Sequence, residues 1–556
     1  MIYSEKISLV ILLASILCSF TSCEKQLQKA DLIITNASIW TGNTTMPNAE
    51  AIAVSGDSIL AIGTKEEIEK RKGVSTERID ANGNFITPGF IDTHVHLMMG
   101  GNALLSVELR DANSPEEFAK RIADYAQTLE AGQWILEGNW DHTLWGGELP
   151  NKEWIDKYTE DKPVAIYRLD GHMILANSAA LKIANIDKNT SNIASGEIVR
   201  DADGSPTGIL KGSAMNLVLT KIPSMSESQK KTALKAAENY LLSNGVTSVH
   251  DVDSLGTYTA AKQLKEFGEL KVRIYLAKPL NRWNEEFGMQ KEDNKWLKTG
   301  LVKGFVDGSL GSHTAAFKSP YIDKPEDSGF FINTEENLYQ WISKADQGRL
   351  QITVHGIGDK AIHSLLNTYQ KVISENGKRD RRFRIEHAQH LASEDIQRFS
   401  ELDVIASMQP YHAIDDGRWA EELIGSERIK TTYAFKSLLD ANTKVVFGSD
   451  WPVAPASPLD GIYAAVTRRT LDNKNPEGWV PEQKISIEQA LRAYTKDAAY
   501  ASFEENRKGT LEAGKLADFI ILSEDLTKID PIKIREVKVL QTYVGGKKLF
   551  EMSQEQ

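Results

Sequence analysis

Two histidines separated by one residue, His94 and His96, end the apolar segment ITPGFIDTHVHL. A β-strand turns alternate side chains to the same face, so we expect both imidazoles, with Asp92, to face one point. Neutral imidazole nitrogens bind divalent metals at about 2.0–2.1 Å, and two ligands on one rigid strand need little further ordering. The spacing therefore indicates half of a metal site. Strand histidines hydrogen-bonded in a polar cleft would give the same pattern.

The composition argues against a nucleic-acid-binding protein. The 556 residues are 41% hydrophobic and 26% charged, and the formal net charge is -12. Such a chain is long enough for a large barrel and a smaller companion domain. The acidic balance, without long lysine or arginine runs, favours a small-molecule substrate over a nucleic-acid partner. The sequence leaves the oligomeric state open, with a homodimer as one option.

Residues 1–22 resemble a bacterial lipoprotein signal peptide. Lys6 precedes an apolar core that is too short and wrongly flanked for a permanent membrane span, and the segment ends in Phe20-Thr21-Ser22-Cys23. In such signals the cysteine is lipidated and becomes the new N-terminus, so Cys23 is the predicted lipidation site. The sequence thus predicts an exported lipoprotein, anchored to a membrane of the bacterial cell envelope. The alternative is a cleaved signal with an incidental cysteine.

Alternating strand and helix patterns over residues 86–500 predict an α/β fold, a (β/α)8 TIM-like barrel. Nine strand cores occur, one more than this barrel requires: FIDTHVH, PVAIYRL, VTSVHDV, VRIYLA, VKGFVDG, ITVHGIG, FRIEHAQ, VIASMQP and VVFGSDW. We expect PVAIYRL outside the barrel, because it lies in an irregular stretch at about 100–240, predicted to be an insertion over the barrel mouth. Residues 23–85 and 501–556 are predicted to build one small β-sandwich from both chain ends.

Further metal-ligand residue types recur at the predicted strand ends. With His94 and His96 on strand 1, they are Lys303 on strand 4, His355 on strand 5, His387 on strand 6 and Asp450 on strand 8. Barrel enzymes assemble their sites from the C-terminal ends of different strands. Four histidines, an aspartate and one bridging oxygen donor suit one or two divalent ions. Zinc is the default for imidazole-rich ligation, with manganese or iron as alternatives.

Five motifs, in order along the chain, resemble the amidohydrolase superfamily, in particular its amidohydrolase-3 branch of metal-dependent hydrolases. They are ITPGFIDTHVHL, VKGFVDGSLGSHTAAF, VHGIGDKA, RIEHAQ and FGSDWPVAPASPL. The resemblance covers about residues 30–550 and includes KGTLEAGKLADFIIL, which is similar to strands flanking the barrel in that family. It implies hydrolysis of a non-peptide C–N bond in a small amide, N-acyl, N-formyl or cyclic amide substrate. It also implies that Lys303 is carboxylated to a carbamate that bridges two metals.

Asp450 is the predicted catalytic residue as well as a metal ligand. Metal binding lowers the pKa of water toward about 7, and an adjacent carboxylate can move the remaining proton to the leaving group. The alternative is an ordinary aspartate that caps the turn after the strand. Lys303 has an alternative too: a free lysine would leave a mononuclear site, with Asp307 as another oxygen donor or as a supporting residue.

Substrate contacts are predicted from the insertion and from other strand ends. The candidates are His172, Trp140, His313 and Gln409, and His250 and His412 also follow barrel strands. Each has a structural alternative: the tryptophan could belong to the insertion core, and His172 could cap a helix. The G-x-S-x-G motif of serine hydrolases, the H-E-x-x-H motif of zincins and a P-loop are absent from the sequence. Ester or lactone hydrolysis, deamination and a catalytically inert binding lipoprotein stay as functional alternatives.

Overall fold

Eight parallel strands in sequence order form the centre of the fold. The computed structural model of the protein describes residues 27–168, 173–193, 196–252, 256–285 and 291–553. The strands are β1 (Phe90–Val95), β2 (Val246–Asp251), β3 (Arg273–Pro279), β4 (Leu297–Phe305), β5 (Gln351–Gly356), β6 (Arg384–His387), β7 (Ile405–Met408) and β8 (Val445–Phe447). Beyond β8, the segment containing Trp451 returns to β1 through a parallel bridge to Val95. This nearly closed barrel confirms the predicted TIM-like fold.

Two predicted ligands lie just beyond their strands rather than on them. Strand β1 ends at Val95 and β8 ends at Phe447, so His96 and Asp450 belong to the segments that follow. Asp450 has a φ of 62°, which lies in the left-handed region and not in the extended region typical of β-strands. The two segments are nevertheless joined, because Asp450 N donates to the His94 carbonyl at 2.8 Å. The barrel closure thus places these three residues side by side.

Helices cover the outside of the barrel and its companion sheets. The helices of residues 97–104 and 227–501 are Leu97–Leu104, Glu227–Ser243, Thr257–Glu266, Glu335–Gln347, Asp359–Asn376, Ile396–Glu401, Pro410–Asp416, Ala420–Arg428, Phe435–Asp440, Pro458–Thr467, Ile487–Ala493 and Lys496–Ala501. The others are Lys65–Glu69, Pro115–Ala126, Glu153–Asp156, Ser178–Ile183 and Asn216–Leu219. Each helix among the described residues is too short or too polar to cross a lipid bilayer.

An independent sheet lies between β1 and β2 in sequence. Its five strands, in spatial order, are Gly196–Arg200, Pro206–Gly212, Met173–Ala176, Val164–Arg168 and Ile135–Trp140. Residues 163–168 of the PVAIYRL segment therefore lie outside the barrel, as predicted. The predicted insertion is too long at its C-terminal end, however. Helix Glu227–Ser243 packs Leu234 and Leu241 into the barrel cluster and leads directly into β2, so it belongs to the barrel.

Both chain ends contribute to two further sheets. One has the order Ser58–Gly63, Ala51–Ser55, Leu32–Thr35, Glu77–Asp80, and the other has the order Lys547–Glu551, Val539–Val544, Phe519–Leu522, Phe85–Pro88, Ser38–Trp40, Asn48–Ala49. They share one hydrophobic cluster, in which Ile34 and Ile52 of the first sheet meet Ile86 and Phe519 of the second. Strand Phe85–Pro88 runs straight into β1, so these sheets hold the start of the barrel.

Gly89 makes this junction between sheet and barrel possible. A Cβ atom added at Gly89 would lie 2.3 Å from Cγ2 of Thr247 on the neighbouring strand β2. Such a contact is far inside van der Waals distance, so a larger residue would push β1 away from β2. The glycine in the ITPGF motif therefore allows close packing between β2 and β1, the strand that carries His94.

Candidate metal centre

A cleft of about 410 Å³ opens at the C-terminal ends of the barrel strands. Its lining residues come from the strands and from the segments that follow them: His94, His96, Lys303, Phe305, Ser309, Leu310, Gly311, His355, Ile357, His387, Gln389, His412, Asp415, Asp416, Trp419, Asp450 and Val453. All six predicted metal ligands are among them. None of the described insertion residues contributes to this lining. The predicted role of the insertion in shaping the pocket is therefore not supported by its described part.

His94 is held in one orientation by a buried carboxylate. Its Nδ1 lies 2.6 Å from Oε2 of Glu386, and both side chains are inaccessible to solvent. Oε1 of Glu386 in turn forms an ion pair with Arg384 at 2.7 Å and accepts a hydrogen bond from the hydroxyl of Thr353. Because the ionised carboxylate can only accept, Nδ1 of His94 carries the proton and its Nε2 keeps the lone pair. That lone pair faces the cleft.

The carboxylate of Asp450 lies among the imidazoles. Its Oδ1 is 3.4 Å from Nε2 of His94 and 3.2 Å from Nε2 of His96. Burial raises the pKa of Asp450, but the neighbouring imidazoles, His94 first among them, outweigh this and hold it well below its ordinary value. Asp450 is therefore an anion, as a metal ligand and a proton acceptor must be.

His355 and His387 form the other side of the site. Their rings lie 4.4 Å apart, centroid to centroid. Nε2 of His355 is 2.9 Å from the carbonyl oxygen of Gly308, and because a carbonyl only accepts, Nε2 carries the proton and Nδ1 keeps the lone pair. Burial, and then the positive charge of Lys303, lower the pKa values of His94 and His355 to about 4. Both imidazoles are therefore neutral near pH 7.

Lys303 lies against the ligands. Only 4% of the residue is exposed, and its Nζ is 3.3 Å from Nε2 of His94. Lys303 is therefore not a surface charge. Asp307, four residues on, is also buried, but its carboxylate accepts from the backbone amides of Ala316, Ile357 and Gly358 at 2.8–3.0 Å. With these bonds Asp307 fixes the loop after β4, which is a supporting role.

The donor set fits a divalent metal ion. Two groups, His94–His96–Asp450 and His387–His412–Asp450, have ligand atoms within 4.8 Å of one another, and Asp450 belongs to both. Among the described residues, no group hydrogen-bonds to the buried Nδ1 of His387 or the buried Nε2 of His412. A buried polar atom without a partner is costly, and a coordinated metal would remove that cost. Imidazoles with one carboxylate are ligands that zinc accepts.

The predicted substrate residues that the structure describes do not gather at this cleft. Trp140 is fully buried in the hydrophobic core of the insertion, where its Nε1 donates to the Ile166 carbonyl at 3.0 Å. This prediction is wrong, because an indole packed among apolar side chains cannot reach the mouth. His313 pairs with Asp323 at 2.8 Å, Gln409 is fully buried, and neither is among the lining residues. His172 lies outside the described residues.

Several residues of the site were not predicted as members of it. Glu386 supports His94, and Gln389, Asp415, Asp416 and Trp419 line the cleft. His412 was considered only as a substrate contact, whereas its donor atom falls within a ligand group. The alternation of Arg384 and Glu386 before His387 in RIEH was a usable signal, because two opposite charges on one strand face must be paired when buried.

Comparison with known proteins agrees with this geometry. The model of the amidohydrolase family matches residues 77–550. The chain belongs to the amidohydrolase family. This confirms the resemblance found in the sequence, and with the ligand groups at the strand ends it makes the protein a metal-dependent hydrolase.

Individual relatives of this amidohydrolase extend over nearly its whole length. It is 41% identical over 540 residues to the protein LONG AFTER FAR-RED 3 of Arabidopsis thaliana, covering 94% of this chain and 92% of that protein. It is 28% identical to the N-substituted formamide deformylase of Arthrobacter pascens, covering 94% of this chain and 99% of the relative. An uncharacterized metal-dependent hydrolase of Pyrococcus horikoshii has the same fold, with a TM-score of 0.77 at 29% identity, over 90% of this chain and 99% of that structure.

Proposed function

We propose that this amidohydrolase cleaves a non-peptide C–N bond in a small amide, an N-acyl or N-formyl amine, or a cyclic amide. The observation that carries the proposal is the position of the Asp450 carboxylate, which two histidine groups share inside a cleft large enough for a small molecule. Cleavage of this bond needs an activated water and a proton for the leaving nitrogen, and one carboxylate at this position serves both needs. The similarity to an enzyme named N-substituted formamide deformylase supports the choice of substrate class.

In the proposed reaction each residue of the site has a separate role, which follows from its position. A bound divalent ion, for which we propose zinc, supplies Lewis-acid polarisation of the substrate carbonyl and of the attacking water. Asp450 accepts a proton from that water while the oxygen of the water attacks the carbonyl carbon of the substrate. Asp450 then donates the proton to the nitrogen as the C–N bond breaks, which leaves a carboxylic acid and an amine. His94, held by Glu386, keeps its Nε2 lone pair turned into the cleft throughout.

We further propose that Lys303 is carboxylated. A buried ammonium 3.3 Å from a ligand nitrogen would repel a metal ion. The neutral amine adds to carbon dioxide and releases one proton to solvent, which gives a carbamate. The carbamate replaces the positive charge by a negative one and adds two oxygen donors. With the carbamate, the six predicted ligands suffice for two ions. Without it, the site holds one.

A substrate panel tests the proposed function. The protein is stripped of metal with a chelator and reloaded with zinc or manganese, and both forms are incubated with N-formyl amines, N-acyl amines and cyclic amides. We expect turnover of at least one class by the reloaded form only. Esters, lactones and aminopurines in the same panel test the alternative reactions. Failure of the reloaded protein on every class, with ligand binding retained, would favour the inert binding lipoprotein.

We propose that the protein is exported and anchored to a membrane of the cell envelope through a lipid on Cys23. The support is the sequence alone, because residues 1–26 lie outside the described residues. The described chain begins at Leu27, and the polar segment before it would connect a lipid to the first sheet. Cys23→Ala expressed with the signal segment tests this proposal: the variant should leave the membrane fraction, and full retention there would contradict the anchor.

A further inference from the structure

The carboxylate of Asp416 lines the cleft one helical turn beyond His412. His412 and Asp416 lie four residues apart in helix Pro410–Asp416. Residues at this spacing lie on one face of a helix, about 6 Å apart along its axis. His412 belongs to a ligand group with His387 and Asp450, and both His412 and Asp416 line the cleft. Asp416 therefore marks a second polar position at a short distance from the reacting centre.

The contacts of Asp416 leave half of its carboxylate available. Nε2 of Gln389 donates to Oδ2 of Asp416 at 2.7 Å, and the hydroxyl of Tyr433 donates to the same oxygen at 2.5 Å. Two donors on one oxygen fix the plane of the carboxylate. Among the described residues, none donates a hydrogen bond to Oδ1. That oxygen is free to accept from a molecule in the cleft.

Asp416 also lacks a cationic partner, in contrast to its neighbour. Asp415 forms an ion pair with Arg418. Over the described residues, no lysine or arginine lies within ion-pair distance of Asp416. A half-buried carboxylate without a direct ion pair is unfavourable, and a cation that enters the cleft would offset this cost.

Part of the cleft wall is apolar. Leu310, Trp419 and Val453 line the cleft, and Val453 is 64% exposed. Gly311 lies beside the indole, where an added Cβ atom would make ordinary van der Waals contact with Cη2 of Trp419 at 3.4 Å. Methylene groups suit such walls, and an aromatic ring next to a carboxylate is a favourable environment for an organic cation.

We propose that Asp416 binds a positively charged nitrogen of the substrate, so that the preferred substrates are amides with an ammonium group separated from the scissile C–N bond by a short apolar spacer. This inference rests on the proposed function for the bond that is cleaved. It adds the chemical class of the remote group. Asp416 is thus a specificity-determining residue, while Asp450 and the imidazoles act at the reacting centre.

Two substrates of matched length test the inference in the metal-loaded full chain. N-formylcadaverine carries an ammonium group at the far end, and N-formylhexylamine has a methyl group there. Charge-assisted hydrogen bonds predict that kcat/KM of the wild type is about 10- to 100-fold higher for the cationic amide, mainly through KM. Asp416→Asn should abolish this preference, and Asp415→Asn, whose carboxylate is already paired, should keep most of it. Equal kcat/KM values in the wild type, or an undiminished preference in Asp416→Asn, would overturn the inference.

Two further measurements keep the outcome clear. If Asp416→Asn does not fold, inhibition of the wild type decides: hexylamine should compete with substrate at least tenfold better than hexanol, and equal inhibition would refute the role of Asp416. If the wild type hydrolyses neither amide, the proposed function is at fault for this substrate class. The binding of hexylamine, measured by calorimetry in wild type and Asp416→Asn, then decides on the cation site alone, because binding that is unaffected by the substitution contradicts it.

Discussion

Nδ1 of His94 lies 2.6 Å from Oε2 of Glu386. The two residues lie on strands β1 and β6, which are far apart in the sequence. The contact determines which nitrogen of His94 faces the cleft. It also connects the ligand to Arg384, which holds the other carboxylate oxygen at 2.7 Å. The orientation of a candidate metal ligand therefore depends on a buried charge pair that does not itself touch the cleft.

Glu386→Gln should weaken metal binding. The amide can still accept from Nδ1 of His94, but it loses the charge that favours this proton position, so we expect metal affinity to fall about 10- to 100-fold. The measurement is a competition titration against a chelator of known affinity. Glu394→Gln is the matched control, because Glu394 is exposed and pairs with Lys318 at the surface. Equal affinities of the two variants would remove Glu386 from the ligand support.

Lys303→Gln should lower the number of bound ions. Glutamine cannot be carboxylated, so the site loses a proposed anionic bridge while keeping its histidines. Metal content per chain is measured after reloading, and nuclear magnetic resonance with labelled bicarbonate detects the carbamate in the wild type. Lys278→Gln is the control, because Lys278 donates to the Glu285 carbonyl in an exposed contact. An unchanged metal content in Lys303→Gln, with no carbamate signal in the wild type, would contradict the carboxylation proposal.

Trp140→Ala should reduce stability but spare the chemistry. The indole is fully buried in the insertion core, and the loss of such a side chain costs about 3–5 kcal/mol. The cleft receives none of its described lining from the insertion, so kcat of the folded variant should stay near that of the wild type. Thermal unfolding and kcat below the melting range check this. A large loss of kcat in a stably folded variant would restore Trp140 as a pocket residue.

His390 should make stability depend on pH. Burial first, and then the charge of Arg428, lower the pKa of His390 from 6.5 to about 3. Between these values the unfolded chain binds a proton here that the folded chain does not, so the free energy of unfolding falls as the pH decreases. One such proton contributes a slope of about 1.4 kcal/mol per pH unit. His390→Gln should remove this contribution, as measured by denaturant unfolding at pH 5 and pH 6. Identical slopes in both proteins would contradict the assignment.

The sequence was sufficient for the barrel and for locating most of the candidate ligands at the cleft, because both follow from local patterns. Alternating strand and helix signals, with one irregular core set aside, led to β1–β8, and histidines at strand ends led to the cleft. The same rules could not identify Glu386 as the partner of His94. That contact joins residues 292 positions apart in the chain, and strand order within a barrel does not reveal which interior side chains will touch.

The failures concerned residues whose role depends on packing. A tryptophan in an insertion suits either a core or a pocket, and only the fully buried position of Trp140 decides between them. The predicted end of the insertion was wrong because the sequence of helix Glu227–Ser243 does not show which sheet the helix packs against. Its contacts with β2 assign it to the barrel. Asp416 carried no motif at all, and its importance arises from the donors that meet it in the fold.

Asp450→Asn tests the central claim of a metal-dependent hydrolase most directly. Asparagine tolerates the left-handed backbone at this position and keeps the shape of the side chain, but it cannot accept and return a proton. At saturating metal we predict that kcat for a hydrolysed C–N substrate falls about 10²- to 10⁴-fold. Asp440→Asn, which alters only a surface pair with Lys436, should have the kcat of the wild type. The contradicting result is an Asp450→Asn variant that retains its metal, its melting temperature and the kcat of the wild type. Asp450 would then not be the proton shuttle, and the mechanism proposed for this site would be wrong.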